Sequence, residues 1–360
     1  MNIVILAGGV GKRLWPLGRK NNPKQFFPVV GKKPLVKETF DRFAKTYGAK
    51  KIFFSTTVDL LPYLKKLFPK LSAEQFIVEP SRRDTGPAMG FAAVKLFLQS
   101  PDEPMVFVPS DHFIADVKKY LACFKIGEKL IKETGKMLDI GVVATFPSTV
   151  LGYTKIGKKC GNFGGVEVYN FAGHTEKPNY ATAKKYLASG NYLWHGNYYM
   201  WTPRLFLNAM KKYAPTVHAP LEKIKNLLTS GKQKEIVKIY AGIEKISFDY
   251  AVTEKIDKKD ALIIKGDFGW NDIGAWDVLH NQLKSGADVK GNVMKGKVVH
   301  HDTDNCLLFG HGGRVLATLG MKDTIIVDTE DAILVCPKER AQDMKKLIEK
   351  MEAGGLNKYL

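Results

Sequence analysis

Three glycines and two cations stand together near the start of the chain, at Gly8, Gly9, Gly11, Lys12 and Arg13, directly behind the apolar run NIVIL. A glycine-rich turn after a first strand is an anion site, because its backbone N–H groups approach phosphate oxygens with no Cβ in the way. Arg13 adds a bidentate charged grip. Two familiar cradles do not fit. A P-loop needs Ser or Thr after Gly-Lys, where Arg13 stands, and a glycine where Leu6 stands. The dinucleotide fingerprint fits Gly9 and Gly11 and fails at Leu14, where it needs a third glycine. An ordinary glycine turn with solvated cations is the alternative at this point. Further chemistry-bearing residues follow later apolar runs: Glu79 ends QFIVE and Asp111 follows MVFVP. Asp111, where a strand meets a crevice, needs a partner, and a Mg²⁺ ion bridging phosphates would be one.

The elements that must hold these groups are legible to residue 145. NIVIL, KIFFST, QFIVE, MVFVP and MLDIGVVAT read as strands, alternating with helical patterns over 39–45, 60–68, 85–98 and 118–131. Such alternation implies βαβ units and a mostly parallel sheet with helices on both faces, whose ligands bind at the carboxyl ends of the strands. AGGVGKR, EPSRRDTGP and PSDH all follow strands, so they are expected to converge on one crevice. From about 150 to 280, strands and helices mix in what reads as an insertion walling that crevice, ending in the polar cluster DFGWNDIGAW. The aromatics of NYLWHGNYYMW alternate like a buried strand. Beyond 283 come short β runs with Gly, Asp and Asn turns and a helix over 338–351. Two domains are expected: 1–282, and a small β-rich domain over 283–360.

Composition narrows the function classes. With 45% hydrophobic residues among 360, the chain can build a full core. The four cysteines are scattered with no C-x-x-C pair, which speaks against a disulfide framework or a zinc site. No apolar run reaches the roughly 20 residues that span a bilayer, and the start lacks the charged leader of a signal peptide. A cytoplasmic protein with no membrane partner is expected. The formal charge of +19 admits polyanionic partners, but no RNP-like motif, zinc spacing or basic run with interleaved aromatics supports nucleic acid. Much of the excess is lysine in helical stretches such as DMKKLIEKM, where it forms solvated faces.

Taken together, LAGGVGKRLWPL with PKQF behind it, EPSRRDTGPA, VPSDHFI, TEKP, SFDYAVTEK and GWNDIGAW resemble the sugar-nucleotide pyrophosphorylases, and within them the mannose-1-phosphate guanylyltransferase branch. The motifs run in order from residue 3 to about 277. The resemblance implies a Rossmann-like, GT-A-like α/β nucleotidyltransferase fold with a mixed, mostly parallel sheet, flanking helices and a small C-terminal β-rich domain. It implies the reaction of GTP with mannose 1-phosphate to give GDP-mannose and diphosphate, dependent on Mg²⁺. A phosphate oxygen attacks the α-phosphorus already ionised, so positioning and charge neutralisation are the work required. That accounts for the lack of a Ser-His-Asp set.

By the same resemblance the catalytic groups are Arg13, Lys24, Asp111, Lys177 and Asp272, with Asp111 and Asp272 as metal ligands. Nucleotide contacts are implied at Leu6, Ala7, Gly8, Gly9, Gly11, Lys12, Arg13, Lys24, Glu79, Arg83, Gly86, Pro109, Ser110 and Asp111. Glu176, Lys177 and Asn197 are implied for the sugar phosphate. Glu79 carries a physical argument of its own: guanine presents two adjacent donors, and a carboxylate is acceptor-only. Two departures stand out. Asp84 replaces an amide in the branch's RNTAP, and WHGNYYMW replaces WNSGMF, which bears on hexose selectivity through His195, Asn197 and Tyr198. A guanylyltransferase for another sugar 1-phosphate is an alternative. So is a non-catalytic GDP-sugar-binding paralogue, although Arg13, Lys24 and both aspartates are retained. A homodimer is compatible with all of these readings.

Overall fold

The computed structural model describes residues 1–9, 11–20 and 22–360, and for Lys12 the backbone only. Its contacts divide into two units. Unit 1 comprises residues 1–8, 40–109 and 114–270, and unit 2 comprises 9–39, 110–113 and 271–360. Two of the five divisions fall just behind strands, between Gly8 and Gly9 and between Pro109 and Ser110.

The chain lays down β1 (Asn2–Leu6), β2 (Ile52–Thr57), β3 (Phe76–Glu79), β4 (Met105–Pro109), the two-residue β5 (Phe113–Ile114), β6 (Met137–Val143), β7 (Tyr153–Phe163), β8 (Val166–Thr175), β9 (Tyr192–Trp201), β10 (Ala261–Gly266) and the two-residue β11 (Trp270–Asn271). Between them run α1 (Leu35–Tyr47), α2 (Leu61–Leu67), α3 (Thr85–Gln99), α4 (Val117–Thr134), α5 (Tyr180–Ser189), α6 (Pro203–Tyr213), α7 (Pro215–Leu228) and α8 (Gln233–Ala241). The five strands and four helices expected before residue 145 are all present.

Unit 1 is built on one sheet of order β3-β2-β1-β4-β9-β6-β10-β8-β7. β1 pairs in parallel with β2 and β4, β2 with β3, and β6 with β10. β9 is antiparallel to both β4 and β6, so the sheet is mixed. The stretch expected as an added wall therefore enters the sheet itself, with β9 at its centre. The alternating aromatics of β9 are why: Leu193, Trp194, Tyr198, Tyr199, Met200 and Trp201 are all buried, which a strand covered on both faces requires. The core continues through α3, α6 and α7, where Phe91, Phe206, Met210 and Leu221 pack with Phe107 and Phe248.

Unit 2 joins the LWPL loop to the C-terminal region. Leu14 and Trp15 are buried with Trp276 and Leu279 of α9 (Trp276–Leu283) and with the strands that follow. Trp276 Nε1 donates to the Trp15 carbonyl at 2.8 Å, and Trp15 Nε1 donates to the Tyr359 carbonyl at 2.7 Å. Strands β12 (Val293–Lys295), β13 (Lys297–His301), β14 (Leu307–Phe309), β15 (Val315–Leu319), β16 (Thr324–Asp328) and β17 (Ile333–Pro337) follow. β12, β14 and β16 pair in parallel, as do β13 and β15. The chain thus alternates between two parallel runs, β12-β14-β16 and β13-β15, in the winding of a β-helix, and β17 then turns back antiparallel to β16. The terminal helix α10 is shorter than expected, Met344–Ala353, and a 3₁₀ segment over Lys338–Asp343 precedes it.

Candidate functional site

In unit 2 the expected phosphate-handling residues gather around one ammonium group. Lys24 sits in a one-turn 3₁₀ helix behind Pro23 and is nearly buried. Its Nζ lies 2.7 Å from Asp111 Oδ2 and donates to the carbonyls of Asp272 at 3.1 Å and Ile273 at 3.3 Å. Burial disfavours the charged form of Asp111, but Lys24 beside it and His112 next to it hold its carboxyl below the usual range. Asp272 Oδ2 lies 3.9 Å from Arg13 Nη2, and its Oδ1 accepts from the Gly274 N–H at 3.2 Å.

The local backbone is shaped to this end. Ile273 is a buried β-branched residue at φ +45°, a costly conformation that turns its carbonyl to Lys24. A side chain at Gly274 would come within 2.4 Å of Asp272 Oδ2. Gly11 has φ +63°, and a Cβ there would stand 2.6 Å from Lys24 Cγ. Gly9 is fixed by its carbonyl, which accepts from Gln25 Nε2 at 2.8 Å. Ser110 is buried, with its carbonyl accepting from Thr39 Oγ1 at 3.3 Å. The Lys12 side chain and Val10 lie outside the described residues.

Unit 1 carries the remaining expected residues in two places. At the carboxyl end of β1, Leu6 is paired with Ser55 and Pro109, and Ala7 N donates to Ser55 O at 2.8 Å. A Cβ on Gly8 would stand 3.6 Å from Glu79 Oε1, so the turn lies against that carboxylate. Glu79 is buried, and Tyr240 of α8 donates to its Oε2 at 2.8 Å. Burial raises its carboxyl to about 7, against the opposing hydrogen bond from Tyr240 and the charge of Arg82. The Arg83 side chain donates to the Ala241 carbonyl. Gly86 gives its N–H to Ile246 O at 3.0 Å, and a Cβ there would meet that oxygen at 2.7 Å. Gly86 thus serves close backbone packing. Asp84, the first departure, has φ +70° and caps α3 by accepting from Thr85 N at 2.8 Å.

The second place lies where β8, β9 and a π-helical turn over Asp249–Thr253 meet. Glu176 follows β8 and is paired through Oε1 with Lys177, whose φ is +45°. Burial opposes ionisation of Glu176, but contacts from His174 and Lys177 lower its carboxyl. Burial likewise works against the Lys177 ammonium, which Glu176 raises. Asn197 sits at φ +57° where three residues of β9 oppose Ile140 of β6.

His195, the second departure, is fully buried in a network that spacing gave no hint of. Its Nδ1 is 3.0 Å from Asp139 Oδ2 and its Nε2 is 3.3 Å from Asp249 Oδ1. Burial would lower the imidazole, but the two carboxylates raise it well above its ordinary value. Tyr199 donates to Asp249 Oδ1 at 2.5 Å and accepts from Thr253 at 2.9 Å. The partners of His195 lie 56 and 54 residues away in the chain, beyond any periodicity.

Parallel strands β3-β2-β1-β4 with a glycine turn directly behind β1 are the framework of a nucleotide-handling class of protein. The nucleotidyl transferase family model matches residues 2–287, and a mannose-phosphate isomerase/GMP-like β-helix domain matches residues 296–351. The chain belongs to the nucleotidyl transferase family. It is 31% identical to the mannose-1-phosphate guanylyltransferase of Escherichia coli K12 over 366 residues, covering 99% of this chain and 74% of that protein. It is 32% identical to the xanthan biosynthesis protein XanB of Xanthomonas campestris, covering 98% and 73%. A solved structure from Thermus thermophilus, described as a mannose-1-phosphate geranyltransferase, superposes with a TM-score of 0.84 at 28% identity, covering 98% and 99%. No helix among the described residues is long and apolar enough to cross a membrane.

Proposed function

We propose that this chain transfers a guanylyl group from GTP to mannose 1-phosphate, releasing diphosphate and forming GDP-mannose. The observation that carries this reading is the convergence of Asp111, Asp272 and Arg13 around Lys24. Two cations beside two aspartates suit a reaction whose nucleophile arrives ionised and whose barrier lies in charge and alignment. The name of the Escherichia coli relative supports the choice of substrates.

The two aspartates are an all-oxygen donor set, which fits Mg²⁺. When bound, the ion would neutralise phosphate charge beside them. Arg13 is placed to stabilise charge on the departing diphosphate, and Lys24 to hold the α-phosphate or the leaving group in line. The N–H groups of Gly8, Gly9 and Gly11 orient the phosphates. Glu79 selects guanine by accepting from its adjacent N1–H and N2–H donors. Glu176 accepts from sugar hydroxyls, Lys177 meets the incoming phosphate, and Asn197 adds a polar sugar contact.

Diphosphate release, measured over a panel of GTP, ATP, UTP and dTTP against several hexose 1-phosphates, tests the reading. GTP with mannose 1-phosphate should give the highest kcat/KM. Release with no pair, or best release with another base or sugar, overturns it.

A further inference from the structure

Guanylyl transfer as proposed uses Glu176 but leaves its neighbours unexplained. His174 lies next to the last residue of β8 and Glu176 directly follows the strand, two residues on. Asp249 reaches them from the π-helical turn. A ligand atom from each of the three lies within 4.8 Å of the other two. His174 Nε2 is 3.5 Å from Glu176 Oε2 and 4.0 Å from Asp249 Oδ1.

The imidazole shows which kind of partner is wanted. Its side chain is completely buried, and Nε2 makes no hydrogen bond. Its other nitrogen, Nδ1, is 3.4 Å from Thr154 Oγ1, which donates to Asp139 Oδ2 at 3.4 Å. The buried Nε2 is thus aimed at two carboxylates with Thr154 standing behind the ring. A metal cation between the three groups would give that nitrogen a partner and bridge the two carboxylates. An N–H to polar group on the far nitrogen is the usual support of a metal-bound histidine.

The carboxylates are held in the same manner. Asp249 is fixed by Tyr199 and His195. Lys177 occupies Oε1 of Glu176 and leaves Oε2 toward His174. Gly152 keeps the space open, since a Cβ there would come within 2.4 Å of Glu176 Oε2 and 2.9 Å of the His174 ring. Ligands at about 2.1 Å from a metal stand roughly 3–3.5 Å apart, so small shifts would close the set.

We propose that His174, Glu176 and Asp249 bind one divalent transition-metal ion, separate from the Mg²⁺ ligands Asp111 and Asp272. One imidazole and two carboxylates suit zinc, cobalt or manganese, whereas magnesium takes oxygen alone. The proposal holds whichever sugar phosphate the chain uses.

Cobalt titration of the chelator-stripped full chain tests it, in excess Mg²⁺ to occupy the paired aspartates. Visible absorption reports coordination, and equilibrium dialysis reports stoichiometry. The expected result is one Co²⁺ per chain with a d–d band that Zn²⁺ displaces. His174→Gln should weaken binding about 10- to 100-fold or more, and Asp111→Asn should leave it unchanged. Glu176→Gln gives a parallel readout if thermal melting shows that His174→Gln has not folded. No retained cobalt, undiminished binding in the folded variant, or loss in Asp111→Asn alone would overturn the proposal.

Discussion

The Lys24 ammonium lies 2.7 Å from the Asp111 carboxylate and is also held by the carbonyls of Asp272 and Ile273. Replacing Asp111 therefore does not strand the lysine, because two acceptors remain. Asp111→Asn should keep the fold, with a loss of about 1–3 kcal/mol for one charged hydrogen bond. Diphosphate release should fall to background, since the change removes metal-binding charge at constant volume. Circular dichroism and the release assay together check this, and wild-type turnover in the variant would show that the carboxylate has no part in the chemistry.

Arg13 stands 3.9 Å from Asp272 with its guanidinium half exposed, a position that contributes little to stability. Arg13→Ala should leave the melting temperature nearly unchanged and lower kcat by about 10²–10³, the usual loss for one preorganised charge-stabilising group. Steady-state kinetics separates the outcomes. A change confined to the KM for the sugar phosphate would move the role of Arg13 away from the leaving group.

Gly11 packs its bare Cα against the Lys24 stem at φ +63°. Gly11→Ala adds a Cβ at 2.6 Å from Lys24 Cγ and forces a left-handed backbone on an L-residue. Displacement of Lys24 should cut kcat at least tenfold while circular dichroism stays native. Unimpaired turnover would mean that the lysine position is not critical.

What the sequence disclosed and what it hid follow from how local the signals are. β1 to β4 and α1 to α4 were legible because apolar periodicity and strand-end polar residues are local. The central place of β9 was not, because an antiparallel strand inserted between β4 and β6 depends on pairing across 50 residues or more. Asp84 stands out in the sequence as a departure, yet its capping role needs φ +70°, which no residue spacing encodes. The motif around Gly86 and Arg83 gives no sign of the tertiary contacts that both make in this structure, to the carbonyls of Ile246 and Ala241. His195 could be singled out only as an unusual residue, since Asp139 and Asp249 join it through tertiary contact alone.

His195 lies between two buried carboxylates, so removing its charge should be costly. His195→Leu leaves Asp139 and Asp249 without that partner, a loss on the order of 3–5 kcal/mol for a broken buried pair. The imidazole is raised above its ordinary value, so its contribution is complete below that value and is lost as pH rises through the folded one. The stability difference between wild type and variant, from denaturant midpoints, should therefore shrink toward alkaline pH. A difference independent of pH would mean that His195 stabilises by packing rather than by charge.

Glu79 offers the sharpest test of base selection. Burial raises its carboxyl from 4.5 to about 7, so near neutrality the ligand-free protein holds it partly protonated. The protonated form places a donor against a guanine donor and accepts only one of the pair, while Tyr240 already occupies one side of Oε2. If the carboxylate alone reads guanine, kcat/KM for GTP relative to UTP should rise about tenfold from pH 6 to pH 8 in the wild type. Glu79→Gln cannot ionise, so its ratio should be low and flat. The same shift carries a stability signature with a fixed sign. A raised carboxyl favours the folded state below 4.5, and that contribution is lost as pH rises through about 7, amounting to about 3 kcal/mol. Glu79→Gln should accordingly be the more stable protein at pH 8, by thermal melting without ligand, while being the poorer user of GTP. A pH-independent GTP preference in the wild type, with equal losses for every nucleotide in the variant, would show that Glu79 supports the strand end and does not read the base.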